Sequence, residues 1–246
     1  MGIELSSEEI TRYDRQIRVF GIEGQVKLKK SKVLIVGAGG LGSAALYYLV
    51  AAGVGEIIVV DPENVELSNL NRQIIHFTKD IGRPKIDSAK EKLELLNPLA
   101  KVTGIKKWFD EDLGEKLVPQ VDIVVDALDN WETRVLLNKL CVKHRKPLVH
   151  AGVHESYGQL LVIVPGKGPC LQCVFPSRIK EERPSPVLGP TPGILGALEA
   201  LEVIKLITGY GKPLIGKLLL FDGKTCSFTL IDVKRNPQCP VCSRLK

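Results

Sequence analysis

Four sets of residues in this chain have the types and spacing for chemistry. The first is Gly37-Ala-Gly39-Gly40-Leu-Gly42, set directly after the apolar run 33–36 and before a helical run. Glycines there permit a tight turn and let the backbone approach a phosphate, and the N-terminus of the following helix favours negative charge. The second is Asp61, which closes another apolar run 19 residues beyond the last glycine (61 − 42 = 19). That register suits a carboxylate bonding ribose hydroxyls. Strand, glycine turn, helix and acid in this order point to an adenosine nucleotide.

The third set bears on what happens to that nucleotide. Ser68-Asn69-Leu-Asn-Arg72-Gln73 follows within 12 residues of Asp61, and Lys85 comes next. A hydride-transfer site has little use for cations there. A site that breaks an ATP α–β phosphate bond needs positive groups on the polyphosphate, together with Mg²⁺. Asp126-Ala-Leu-Asp129-Asn130 then places two acids at the carboxyl end of a parallel strand, where such folds put ligands. One of them can hold Mg²⁺, which takes few carboxylates and keeps waters. Taken singly, Arg72 and Lys85 could be surface charges and Asp126 or Asp129 a helix cap. Taken together they read as a polyphosphate site.

The fourth set is the pair Cys170-Leu-Gln-Cys173 and Cys239-Pro-Val-Cys242. The spacing is that of a four-thiolate zinc site, structural because no coordination position is left open. A redox Cys-x-x-Cys and two disulfides are the rivals. Cys141 reads as a small buried apolar residue, and Cys226 is assigned no role. His76, His144, His150 and His154 are not spaced as a metal site. The last two flank a strand end and could line a cleft, but satisfied core histidines are the preferred reading. Glu199 and Glu202 are expected to be solvated on their helix.

The elements that must position these groups alternate. A capping box at Ser6 opens a helix through about Phe20, and a short helix follows over 24–30. Strands are expected over 32–36, 56–60, 102–107 and 121–125, with helices over 41–52, 84–96 and 131–144 and a further strand beginning at 147. After Gly152 the rhythm changes: strands over 160–164, 217–221 and 228–233, a Pro-rich loop over 176–192, and a helix over 193–208. The fold class is therefore α/β, a Rossmann-like mostly parallel sheet continuous with a smaller mixed-sheet C-terminal half.

The whole 246-residue chain is ordinary for a globular protein, with 44% apolar and 25% charged residues. No apolar run is long enough for a membrane helix, and the N-terminus does not resemble a secretory signal, so a cytoplasmic location is expected. The net charge is +6, but Lys and Arg are scattered and aromatics are only 5%, which argues against nucleic-acid binding.

With these residues assembled, the chain resembles the ThiF/MoeB/HesA family, prokaryotic relatives of ubiquitin-activating enzymes. The matching pieces are Arg12-Tyr-Asp-Arg15-Gln-Ile, the glycine loop, Asp61, 68–73, Gly82-Arg-Pro-Lys85, 126–130 and both cysteine pairs, spanning nearly the whole chain. The resemblance implies a single adenylating domain over 1–246, with a nucleotide-binding half over 1–152 and a carrier-binding half carrying the zinc over 153–246. It implies ATP-dependent adenylation, with release of pyrophosphate, of the C-terminal glycine of a small ubiquitin-like sulfur carrier of MoaD/ThiS type, in molybdopterin or thiamin biosynthesis. It gives adenosine to Gly40 and Asp61, phosphates to Asn69, Arg72 and Lys85, and Mg²⁺ to Asp129. The residue matching Arg15 reaches the other subunit's ATP, so a homodimer is implied. Many relatives carry a reactive Cys in the loop after the first cysteine pair; 174–192 contains none, which favours a MoeB-like enzyme that stops at the adenylate. No rhodanese-like extension follows, so a separate sulfur donor is expected. The alternatives are a relative that modifies a tRNA base or small molecule with ATP, and a non-catalytic nucleotide-binding or NAD-dependent module.

Overall fold

The computed structural model describes residues 4–176 and 185–244. Ser6 accepts from the Glu9 amide while Glu9 accepts from the Ser6 amide, the capping box that opens α1 (Ser7–Arg12). The chain continues through α2 (Asp14–Lys30), β1 (Lys32–Val36), α3 (Gly40–Ala51), β2 (Glu56–Val60), α4 (Lys85–Leu96), β3 (Lys101–Ile105), α5 (Glu111–Leu117), β4 (Ile123–Asp126) and α6 (Trp131–Lys143). It ends with β5 (Leu148–His154), β6 (Tyr157–Ile163), α7 (Leu171–Val174), α8 (Pro190–Thr208), β7 (Lys217–Asp222) and β8 (Ser227–Asp232). The N-terminal helix differs from expectation. It breaks at Tyr13, and α2 runs on to Lys30 with a kink at Gly21, whose φ of 78° interrupts the helix. The short, charged α5 was not anticipated.

One eight-stranded sheet carries the fold, in the order β3-β2-β1-β4-β5-β6-β7-β8. Strands β3 to β5 are parallel and β5 to β8 antiparallel, so a Rossmann-like half runs unbroken into a meander. The expected fold class is observed. β1 lies between β2 and β4, and chain order reverses there. Such a switch point opens a crevice at the carboxyl ends of the strands, and the glycine loop and residues 127–130 leave from it.

Strand residues alternate between two cores. Val33, Ile35, Ile57, Val59 and Val125 pack with α3, α4 and α8, while Leu34, Val36, Ile58, Val60 and Val124 face α6 and the cysteines. Burial on both faces explains why these strands read as continuous apolar runs. Each such side chain contributes about 1.5–3 kcal/mol. α8 is set tightly on α3: a Cβ at Gly196 would lie 2.3 Å from the Leu41 carbonyl oxygen. That approach seats Pro192 of α8 against Gly40, at the mouth of the crevice.

Candidate nucleotide and carrier site

The crevice is a cleft of about 1090 Å³. Its floor is the glycine loop. Gly37 has φ 106°, and a Cβ there would strike the Ala127 carbonyl at 2.3 Å. A Cβ on Gly42 would strike the Gly37 carbonyl at 2.1 Å, so Gly42 packs under the loop rather than lining the cleft. Gly37, Gly39 and Gly40 line it.

Asp61 stands beside them. Its Oδ2 accepts from the Ala38 amide at 2.8 Å and its Oδ1 from the Glu63 amide at 2.9 Å. Burial raises its pKa, and the Lys85 charge and the two amides offset this only in part. Lys85 is itself buried and reaches Glu63 Oε2 at 2.5 Å. Glu63 is exposed, so this ammonium has a partner that an anionic ligand could replace at little cost.

The segment 67–73 folds back over the loop. Asn69 Oδ1 caps the Glu66 amide at 3.0 Å, which leaves the donor end of its side-chain amide. Arg72 Nη1 bonds Ser68 O at 2.8 Å and Asn71 Oδ1 at 3.0 Å. Gln73 is buried beside Gly39, and its Oε1 has no partner among the described residues. Asn69, Arg72, Gln73 and Lys85 all line the cleft; Ser68 does not, and touches it only through its carbonyl bond to Arg72. Across the cleft lie Asp129, exposed, and Asn130, whose Oδ1 caps α6 through the Thr133 amide at 2.9 Å. Arg15 is exposed on α2 and is not part of this chain's cleft lining.

Beyond the strand ends the cleft continues over Gly152, Gly158 and Gln159 to Thr229 on β8. Gly158 lies so close to Leu195 that a Cβ would come within 2.6 Å. Farther round, the four cysteines converge, with all Sγ atoms within 4.8 Å of one another. The pair distances of 3.9, 3.6 and 3.3 Å are far beyond a disulfide bond of about 2.05 Å. A tetrahedral zinc with Zn–S near 2.3 Å requires sulfurs about 3.8 Å apart, so the donor set fits that ion.

A family model described as the ThiF family matches residues 13–241. The chain belongs to the ThiF family. It is 42% identical to a sulfur carrier protein adenylyltransferase of Thermus thermophilus, covering 96% of this chain and 92% of that protein. It is 41% identical to the molybdopterin-synthase adenylyltransferase of Escherichia coli, covering 98% of this chain and 99% of that protein. A crystal structure of E. coli MccB with ATP superimposes with a TM-score of 0.84 at 29% identity, over 97% of this chain and 76% of that one.

Three readings of the sequence are corrected within this ThiF fold. Asp126 is not a ligand candidate: it is fully buried, with Oδ2 2.7 Å from His150 Nδ1. Burial works to raise its pKa, but Arg134 and His150 outweigh this and hold it below the usual carboxylate range. Strand alternation turns residue 126 into the core and leaves the following loop to carry Asp129. Glu199 and Glu202 are not solvated but buried. Glu202 pairs with Lys205 and accepts from the Leu214 amide at 2.9 Å. Among the described residues neither carboxylate oxygen of Glu199 has a well-formed partner, although the Ala151 amide acts on it; burial, then the charge of Asp126, push its pKa well up. Of the histidines, His76 and His150 are satisfied in the core, whereas His154 is exposed in the cleft and lies 3.2 Å from Ser185 Oγ. His144 bonds Glu115 at 2.9 Å. Cys141 is fully buried, and burial raises its thiol pKa far out of the reactive range.

Sequence reasoning missed Arg134, which donates to the Ala151 carbonyl at 2.7 Å and to Leu128 O, fixing the loop that carries Asp129. An arginine in the first turn of the helix after that acidic loop was the available signal. Trp108, 70% exposed at the cleft mouth, was also passed over. The central part of the 174–192 loop, 177–184, lies outside the described residues.

Proposed function

We propose that this ThiF protein is an ATP-dependent adenylyltransferase that activates the C-terminal glycine of a small ubiquitin-like sulfur carrier, of the kind used in molybdopterin or thiamin biosynthesis. The observation that carries the reading is one cleft with two ends. Gly37, Gly39, Gly40, Asp61, Asn69, Arg72, Lys85 and Asp129 line one end, and glycine-floored antiparallel strands line the other. A nucleotide fits the first, and an extended tail without side chains fits the second.

In this reading Asp61 takes the ribose hydroxyls, and the amides at the head of α3 take phosphate oxygens. Gln73 Oε1, without a partner among the described residues, gains a donor from bound ligand or water. A carboxylate oxygen of the carrier's terminal glycine attacks the α-phosphorus, a new P–O bond forms, and the α–β bond breaks to release pyrophosphate. Arg72 and Lys85 neutralise charge on the polyphosphate as it departs, and alignment of the two reactants supplies much of the remaining acceleration. Asp129 is the exposed carboxylate suited to holding Mg²⁺, which would neutralise phosphate charge when bound. Arg15 serves a second subunit's site in a homodimer; the exposed Ile10, Val19 and Ile22 near it on α1 and α2 supply apolar surface for that contact.

With no cysteine between 174 and 192, the acyl-adenylate is the product, and a separate protein supplies sulfur. The four thiols hold a structural zinc. No helix among the described residues is long and apolar enough to cross a membrane, and we place the reaction in the cytoplasm. Incubation with ATP, Mg²⁺ and carriers ending Gly-Gly should drive carrier-dependent ATP–pyrophosphate exchange. No exchange with any such carrier, alongside tight, salt-sensitive tRNA binding, would favour the base-modifying alternative.

A further inference from the structure

A line of buried polar groups runs behind the glycine loop, and no step above uses it. Lys92 Nζ lies 2.8 Å from Ser88 Oγ and 2.5 Å from Asp80 Oδ2. An ammonium only donates, so Ser88 Oγ accepts from Lys92. The Ala38 carbonyl oxygen, 3.0 Å from His76 Nε2, can only accept, so the imidazole carries its proton on Nε2. In that tautomer Nδ1 accepts from the Ser88 hydroxyl, 2.9 Å away. His76, Ser88, Lys92 and Asp80 are all buried. Burial, with Lys85 and Lys92 nearby and opposed by the Ala38 bond and Asp80, lowers the His76 pKa to about 4, so the ring is neutral at working pH.

Ala38 is thus held at both of its polar groups, its N–H going to Asp61 Oδ2 at 2.8 Å and its carbonyl to His76. In a trans peptide, a carbonyl and the next N–H point in opposite directions. The Ala38 oxygen is drawn back toward His76, which is not part of the cleft lining, so the Gly39 N–H turns toward the cleft that Gly39 does line. α3 begins at Gly40, and this N–H stands at the head of the helix's open donors.

We propose that His76 is a positioning residue for the nucleotide: through the Ala38 carbonyl it locks the Ala38–Gly39 peptide so that the Gly39 N–H donates to a phosphate oxygen. Ser88, itself held by Lys92, supports the ring from behind at Nδ1. The inference rests on the nucleotide-binding reading above. It predicts a defect confined to the phosphate end of the ligand.

The test measures affinities for ATP, AMP and adenosine. Both tryptophans of the chain, Trp108 and Trp131, line the cleft and give a fluorescence readout. His76→Phe should weaken ATP and AMP by about tenfold, as expected for a lost bond to a charged group, while adenosine changes little. His76→Gln, which keeps a side-chain N–H donor, should recover most of the loss. Ser88→Ala, a smaller change, should shift ATP and AMP in the same direction by less. The inference is overturned if both His76→Phe and Ser88→Ala bind ATP like the wild type. It is also overturned if adenosine weakens as much as ATP. A wild-type protein that binds no ATP would instead remove the nucleotide reading itself.

Discussion

The parallel and antiparallel halves of the sheet are stabilised differently. Strands β1, β2 and β4 are buried on both faces, and the loops at their ends are fixed by hydrogen bonds such as those of the Ala38 amide to Asp61 and of Arg134 to the Leu128 carbonyl. Strand β8 is exposed along its whole length, and the segment after it is gathered by Cys239 and Cys242 against Cys170 and Cys173. The first half can hold reactive groups in place because its scaffold is a doubly covered core. At that antiparallel edge β8 has too little apolar cover, although β6 is buried on both faces, and the four cysteines converge where a structural metal would substitute for it.

That contrast can be broken first at Asp129. Asp129→Ala should cut ATP–pyrophosphate exchange by about 100-fold or more. It should leave stability within about 0.5 kcal/mol, because the residue is an exposed loop position. Full activity in the variant would remove Asp129 from the mechanism. A large drop in melting temperature would make its role structural.

Next comes the metal. Elemental analysis should find about one zinc per chain, and stripping it should lower Tm by on the order of 10 °C. Hydrogen exchange should then rise over 217–244 while the glycine loop stays protected. A metal-free protein with an unchanged melt would refute the division into core-held strands and a metal-held edge.

The smallest effect is at Glu199. Its folded pKa lies above its unfolded value of about 4.5. Stability linked to it is therefore intact below that pH and is lost as pH rises toward the folded pKa. Glu199→Gln should melt roughly 3 °C higher than wild type at pH 8, with the difference fading by pH 4. A difference that does not depend on pH would mean the buried carboxyl is not protonated in the native state.

Legibility in the sequence followed the same division. β1 and β2 could be read to the residue because doubly buried strands appear as apolar, mostly β-branched runs, the first stopped by Gly37 and the second started after Gly55. The thiolate cluster was legible because two Cys-x-x-Cys pairs carry their geometry in their spacing. Asp126 and Asp129 could not be told apart from composition, since only the strand's alternation turns one inward. Glu199 and Glu202 were misplaced because charge was weighted above context. α8 is apolar nearly all round, the pattern of a helix buried on more than one side. α5 was missed because Glu-Asp-Leu-Gly-Glu-Lys-Leu is too short and too polar to show a period.

The central claim is that the two ends of one cleft join a nucleotide to a carrier's last glycine. Mass spectrometry of a Gly-Gly carrier incubated with this protein, ATP and Mg²⁺ tests it most directly. The account predicts a carrier that gains one AMP, loses it to hydroxylamine, and gains nothing when its final glycine is removed. A carrier that stays unmodified while the protein hydrolyses or binds ATP would contradict it.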